Sequence, residues 1–333
     1  MRMRIKQHAK KVLCLKALVR AFRGARRAFL WTMGAGKFTR AYSLENRSTG
    51  ADTLMLVLAG YKPRLWPAVF GRLKRYLPGG IDVCVATSGT RNEAIAETCR
   101  TNGWSYLATE RNNISLIQNV AIKLHPSAEW IYKMDEDMFL TEGTLRRMKE
   151  KFLSAPDEIS AEVGFVAPLI PVNGYGHVRL LRELGLQERW ESRFGRLMYT
   201  EGLKAHTQIL KNPACARFMW GETEPRLADV DALNRAMASN PRRLSVCPYR
   251  FSIGLLLFRR ELWKDMEYFG VDPCGTNLGL DEEQLCQYCM LNARAIVIDE
   301  NSVVGHFAYG PQTRAMLDYL ASNAALQKCL DGR

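Results

Sequence analysis

Three consecutive acids, Asp135-Glu136-Asp137, close the apolar run Trp130-Ile131-Tyr132-Lys133-Met134. Carboxylates set this close repel one another unless a cation lies between them. Asp135 and Asp137, two apart, can face one ion while Glu136 points aside. Hard oxygen ligands suit Mg²⁺ or Mn²⁺, which keep positions open for phosphate oxygens. The chemistry on offer is a metal–diphosphate site. The competing reading is a solvated strand-to-helix turn, because Asp-x-Asp alone is a weak pattern. A second copy, Asp229-Val230-Asp231, leads into Ala232–Met237 and reads as a helix cap.

The elements around this turn decide between the two. Residues 53–58, 81–86, 104–108 and 130–135 read as strands, and the segments between them read as helices stopped by Pro78-Gly79-Gly80 and Asn102-Gly103. Strands alternating with helices of this length form a parallel sheet with right-handed crossovers. Ligands of such sheets bind beyond the carboxyl ends of the strands. Ala59–Tyr61, Ser88–Thr90, Asn112–Asn113 and Asp135–Asp137 all fall on that edge, and the convergence favours the ligand site over the bare turn.

Further strands are expected at 163–170, 251–258 and 295–298, with helices after residues 142, 259 and 279. Residues 171–176 are turn-rich and are placed near the site. Residues 177–250 lose the strand–helix rhythm and read either as an insertion that contacts an acceptor or as a connecting segment with its own small core. Asp281 with Gln284 fits a helix cap and its return partner. His306 lies in the apolar stretch Val303–Phe307, where a lone histidine is commonly a satisfied core residue. Cys286 and Cys289 share a helix face without a second pair, so they read as buried thiols rather than a zinc site.

The 333 residues carry a net charge of +13, with 47% apolar and 24% charged residues. The charge is unevenly placed. Residues 1–40 hold twelve Lys/Arg and no acid, leaving 35 bases against 34 acids in the rest of the chain. A nucleic-acid enzyme would carry its basic surface around the site, so no nucleic-acid partner is expected. Nine scattered cysteines fit a reducing compartment. Residues 10–31 read as an amphipathic helix, with Lys16, Arg20, Arg23 and Arg27 on one face and Leu15, Leu18, Phe22 and Phe29 on the other. No run there is long enough to span a bilayer, so the helix is expected on an anionic membrane surface; an organellar presequence or a helix packed on the body are the alternatives. The division that follows is residues 1–50 as membrane-associating helix and linker, and residues 51–320 as the catalytic domain with its insertion at about 177–250.

Taken together, Asp135-Glu136-Asp137, Arg111-Asn112-Asn113 with Gln118-Asn119, the Ser252–Arg260 segment, Asp281-Glu282 and His306 resemble the GT-A fold nucleotide-sugar glycosyltransferases, particularly the bacterial group that builds surface polysaccharides. The resemblance covers about residues 53–310 and implies a Rossmann-like, mainly parallel α/β sheet with flanking helices. It implies that Asp135 and Asp137, completed by His306, hold Mn²⁺ or Mg²⁺ on the donor's diphosphate. It gives Ala59, Tyr61, Ser88, Asn113 and Asp135 to the UDP- or GDP-sugar, and Asp281 and Glu282 to catalysis or acceptor contact. The implied reaction is sugar transfer to a hydroxyl of a glycan or glycolipid acceptor, inverting by preference, by an enzyme peripheral on the inner face of the plasma membrane. Where many members carry an acid at the end of the second strand, this chain has Ser88-Gly89-Thr90. The rival readings are a sugar-nucleotide nucleotidyltransferase and a non-catalytic membrane-surface adaptor.

Overall fold

All seven residues of β2 (Thr53–Ala59) are buried, which a strand achieves only with helices on both faces and neighbours on both edges. The computed structural model describes residues 36–200, 207–241, 243–252, 254–272 and 274–332; the amphipathic segment 10–31 lies outside the described residues. Before β2 runs β1 (Tyr42–Glu45). After it come α1 (Trp66–Tyr76), β3 (Ile81–Ser88), α2 (Glu93–Asn102), β4 (Ser105–Thr109), α3 (Ile114–Leu124) and β5 (Trp130–Asp135). The parallel register pairs Leu58 with Asp135, Ala59 with Thr87 and Ser88 with Thr109, so the strands end level and their loops share one edge.

The second half supplies β6 (Met138–Phe139), α4 (Thr144–Ile159) and β7 (Glu162–Leu169). Residues 177–250 hold short helices: α5 (Gly176–Glu183), α6 (Gln187–Phe194), α7 (Gln208–Lys211), α8 (Pro213–Met219) and α9 (Val230–Ser239), then β8 (Leu244–Val246). The chain closes with β9 (Leu255–Arg259), α10 (Arg260–Asp265), α11 (Leu280–Leu291), β10 (Arg294–Val303), β11 (Gly305–His306), α12 (Thr313–Ser322) and α13 (Ala324–Asp331). Among the described residues the main sheet has nine strands in the order β1-β4-β3-β2-β5-β9-β7-β10-β8. Six point the same way, while β1, β8 and β9 run against them. The expected mainly parallel α/β sheet is therefore present.

Two features depart from the expectations. Residues 42–45, read as part of a linker, form an edge strand paired antiparallel to β4. Asp82 fastens the residues that follow, accepting from the backbone N–H groups of Thr49, Gly50 and Ala51 at 2.9–3.1 Å. The polar residues that suggested a linker are consumed as hydrogen-bond partners, so this segment belongs to the body. Second, the strand expected from residue 251 begins at Leu255 and is reversed, lying between β5 and β7. Its entry end therefore meets the exit end of β5, where Asp135 N–H donates to Gly254 O at 2.9 Å. Gly254 passes so close under Met138 that an added Cβ would lie 2.5 Å from the sulfur.

The helical segment 177–250 has its own aromatic core, in which Trp190 meets Phe194 and Phe218 at centroid separations of 4.8 and 5.9 Å. Asp229 caps α9 by accepting from Asp231 N–H and Ala232 N–H, as the sequence indicated for this second Asp-x-Asp. Cys286 and Cys289 are fully buried thiols.

Candidate functional site

The level strand ends open into a cleft of about 560 Å³. Ala59, Tyr61, Ser88, Asp135, Asp137, Asp281, Glu282 and His306 all line it. They come from positions up to 247 residues apart, and distinct local devices bring them together. A larger, more open groove of about 840 Å³ lies at the other edge of the sheet, around the starts of β2 and β3 at Thr53 and Ile81.

The three acids at the end of β5 have separate tasks. Glu136 turns away from the cleft's centre and accepts from the backbone N–H groups of Gly60, Tyr61 and Lys62 at 2.9–3.0 Å, and from the Trp66 indole at 2.6 Å. It is the anchor of the β2–α1 loop. Asp137 is buried, forms an ion pair with Lys62 and faces Nε2 of His306 at 3.4 Å. Burial alone would raise its pKa, but His306 and Lys62 outweigh it and hold the carboxyl well below the ordinary range. Burial likewise works against the Lys62 charge, and Asp137 more than restores it, so the lysine's pKa is raised. Asp135 keeps its side chain partly open to the cleft and pairs with Lys133 at 2.6 Å. Desolvation in the cleft pushes the Asp135 pKa up, with Lys133 opposing.

His306 reaches Asp137 because β11 pairs with β6, setting His306 opposite Met138. Phe307 N–H then donates to Asp137 O at 3.0 Å. The Nδ1 of His306 donates to Val172 O at 2.7 Å, which turns Nε2 toward the Asp137 carboxylate. It is a cleft residue, not core filling.

Asp281 and Glu282 sit in the first turn of α11, after Gly279 in the left-handed conformation. The capping arrangement with Gln284 does not form; Gln284 instead accepts from Gly270 N–H at 2.6 Å. Asp281 is buried and accepts from Gln118 Nε2 at 2.8 Å, whereas Glu282 pairs with Arg250 Nε at 2.8 Å. Burial works against the Lys133 charge, but Asp135 and, after it, Asp281 outweigh that cost and raise its pKa.

Tyr61, Ser88, Asn112 and Ile114 give part of the cleft an uncharged lining. Tyr61 is exposed there, its hydroxyl donating to Ser88 O at 2.7 Å. Ser88 uses its own hydroxyl to accept from Asn113 N–H at 2.6 Å. Asn113 is fully buried: its Oδ1 caps α3 through Leu116 N–H and its Nδ2 donates to Gly275 O and Asn277 Oδ1. The neighbouring Asn112, with Ile114, faces the cleft instead. Asn113 was expected to touch the ligand, but the demand for a helix cap claims it.

Sequence reasoning passed over Lys62, Lys133 and Arg250, and quoted Gln118 in the resemblance without giving it a role. Lys133 had a visible signal, since it stands two before Asp135 on one strand and therefore on the same face. Five carboxylates and three bases line the cleft, leaving two net negative charges when His306 is counted neutral. Among the described residues no set of three or more acids, histidines and cysteines is gathered as a closed metal cluster. Asp135, Asp137 and Nε2 of His306 nevertheless give a hard oxygen-and-imidazole donor set around one end of the cleft, the kind that accepts Mn²⁺ or Mg²⁺. In the structure lysine ammonium groups hold the two aspartates.

No protein-family model matches the chain, and no curated protein matches it significantly. Among solved structures it is similar to the mannosyltransferase PcManGT from Pyrobaculum calidifontis in complex with GDP-Man and Mn2+, at 17% identity and a TM-score of 0.44, over 87% of this chain and 66% of that one. It is also similar to glucosyl-3-phosphoglycerate synthase from Mycobacterium tuberculosis in complex with Mn2+, uridine-diphosphate and glucosyl-3-phosphoglycerate, at 14% identity and 0.39, over 85% and 79%. A third is CMP:2-keto-3-deoxy-manno-octonic acid synthetase complexed with CTP, at 12% identity and 0.40, over 82% and 98%. The chain thus spans just under two thirds of PcManGT. With identities below 20% and TM-scores below 0.5, the function has to be argued from the cleft itself.

Proposed function

We propose that this chain is a GT-A type glycosyltransferase, dependent on Mn²⁺ or Mg²⁺, that moves a sugar from a UDP- or GDP-sugar to a hydroxyl of a glycan or glycolipid acceptor. One observation carries the reading: the cleft at the carboxyl edge combines paired aspartates, an imidazole and lysines with an uncharged, partly aromatic stretch. The net negative lining would repel a bare diphosphate, whereas a sugar diphosphate carried with a divalent cation brings about zero net charge and is not repelled. Asp135, Asp137 and Nε2 of His306 are the residues to hold the cation. When bound, the ion supplies charge stabilisation to the departing diphosphate.

The chain's own groups supply the rest. Tyr61 and Asn112, over Ile114, form the stretch suited to a base and ribose. Lys62 and Lys133 offer ammonium groups within the phosphate region. Asp281 is the better placed general base for an inverting transfer, because its hydrogen-bond partner is the neutral Gln118 amide. Glu282 is neutralised by Arg250 and suits acceptor contact.

The β2–α1 loop speaks against a nucleotidyltransferase. Such an enzyme needs that loop's backbone N–H groups for triphosphate, but those of Gly60, Tyr61 and Lys62 are committed to Glu136. Among the described residues no helix is long and apolar enough to cross a membrane. We assign membrane contact to residues 10–31, on the cytoplasmic face of the plasma membrane, with the segment 177–250 on the acceptor side.

The test is a screen of UDP- and GDP-sugars with Mn²⁺ and glycolipid acceptors, reading the released product. Nucleoside diphosphate release that Asp137→Ala abolishes, with circular dichroism unchanged, is expected. Pyrophosphate release from a nucleoside triphosphate and a free sugar would replace the assignment with nucleotidyl transfer.

A further inference from the structure

Asp135 and Asp137 each carry a lysine partner, but the two lysines are differently built. Lys133 belongs to the central strand β5; its side chain is only 5% exposed, is paired with Asp135 at 2.6 Å and lies in the field of Asp281. Lys62 stands on the β2–α1 loop at the cleft's edge, with a side chain 26% exposed. Its backbone N–H is fixed to Glu136 at 3.0 Å. The Lys62 main chain is therefore a fixed pivot, and four rotatable bonds carry its ammonium group. That group meets Asp137 at the same oxygen, Oδ2, that faces His306 Nε2.

We infer that Lys62 is an exchangeable counter-ion of Asp137: its ammonium group holds the aspartate until a divalent cation arrives, then swings to the diphosphate that arrives with it. This deepens the reading of the cleft as a cation–diphosphate site and rests on it. The consequence is thermodynamic coupling. A cation arriving alone displaces Lys62 from Asp137 and leaves it beside Glu136, whose oxygens already accept from four donors. A cation arriving with a nucleoside diphosphate leaves Lys62 paired again, now to phosphate oxygen. The two ligands therefore bind more tightly together than apart, and each must strengthen the other by the same factor. Lys133, buried and paired with Asp135, stays in place and contributes a constant charge.

Exchange separates this role from simple phosphate binding. A lysine that only gripped phosphate would leave cation affinity in the absence of nucleotide untouched. A lysine that only braced the fold would lower both affinities together with the melting temperature.

The experiment titrates Mn²⁺ into the full chain, reading free Mn²⁺ by electron paramagnetic resonance, with and without UDP or GDP, in wild type, Lys62→Gln and Lys62→Met. Both substitutions keep the backbone N–H that Glu136 binds, and thermal unfolding confirms the fold. Removing the competing ammonium group is expected to tighten Mn²⁺ binding without nucleotide by about tenfold, the scale of one charge-assisted hydrogen bond released. The strengthening of Mn²⁺ binding by the nucleotide is expected to shrink by a similar factor. Unchanged or weakened Mn²⁺ affinity in both variants, with the nucleotide effect intact, would overturn the exchange while leaving the cation site standing. Absence of Mn²⁺ binding by wild type even with both nucleotides present would overturn the cation-dependent reading and this inference together.

Discussion

Trp66 donates its indole N–H to Oε2 of Glu136 at 2.6 Å, capping a carboxylate whose other donors are three successive backbone N–H groups. The middle acid of Asp135-Glu136-Asp137 is thus a structural post beside its two neighbours in the cleft.

Glu136→Gln keeps the shape of this side chain but turns an NH₂ group toward donors. The variant is expected to lose about 2–4 kcal/mol of stability, the scale of several hydrogen bonds to a buried charge. Urea unfolding monitored by tryptophan fluorescence checks it. An unchanged midpoint would mean that the loop holds itself.

Asp281 and Glu282 are neighbours with different partners, and their amide variants should separate. Asp281→Asn is expected to lower turnover by about 10²–10⁴-fold, the contribution of a positioned general base. Glu282→Gln removes the partner of Arg250 and is expected to raise the acceptor KM with a smaller change in kcat. Steady-state kinetics with varied acceptor distinguishes them; the reverse pattern would move the base to Glu282.

Arg72 is buried in α1 and fans its guanidinium over Asp231 at 2.8 and 2.9 Å, Leu140 O at 3.0 Å and Leu330 O at 2.6 Å. It ties α1 to the first turn of α9 and the last turn of α13. Arg72→Met leaves an unpaired acid and bare carbonyls, so a loss of about 3–5 kcal/mol is expected. Faster proteolysis near residue 330 should accompany it, and equal stability of the variant would rule the fan out as a staple.

His177 is buried against Trp190 at a centroid distance of 5.2 Å, with Nδ1 2.7 Å from Asn173 O. Burial lowers its pKa from 6.5 to about 4. A depressed histidine stays neutral when folded and gains its proton only on unfolding, so acid favours the unfolded chain. Its contribution is complete above about pH 6.5 and is lost as pH falls toward 4, amounting to about 3 kcal/mol. Comparing unfolding of wild type and His177→Phe between pH 7 and pH 4 isolates it. Parallel pH profiles would show that His177 is not the group responsible.

The first half of the sheet was legible because β2 is a continuous apolar run and β3 and β5 are apolar runs broken only by Asp82 and Lys133, punctuated by Pro78-Gly79-Gly80 and Asn102-Gly103, and topology then sends every loop to one edge. Asp135, Asp137 and Tyr61 followed from that edge, whereas Asp281, Glu282 and His306 were nominated only by the family resemblance. What stayed hidden depends on pairing across the chain. Gln118 meets Asp281 over 163 residues, and Glu282 finds Arg250 over 32. The reversal of β9 was unreadable because composition does not encode the direction of a buried strand. Asn113 was misplaced for a local reason: the residue opening α3 is needed as its cap, and that demand outweighs its closeness to the cleft.

The reversed β9 divides the molecule along a seam. On one side, β2 through β5 form from a single uninterrupted stretch; on the other, β7 and β10 are joined through the helical segment, whose exit strand returns to the cleft. Grafts that exchange residues 177–250 for those of a similar chain, with the joins at Gly176 and Arg250, should therefore recast which acceptor is admitted while preserving the nucleotide preference. The seam offers a natural cutting line for building chimeras.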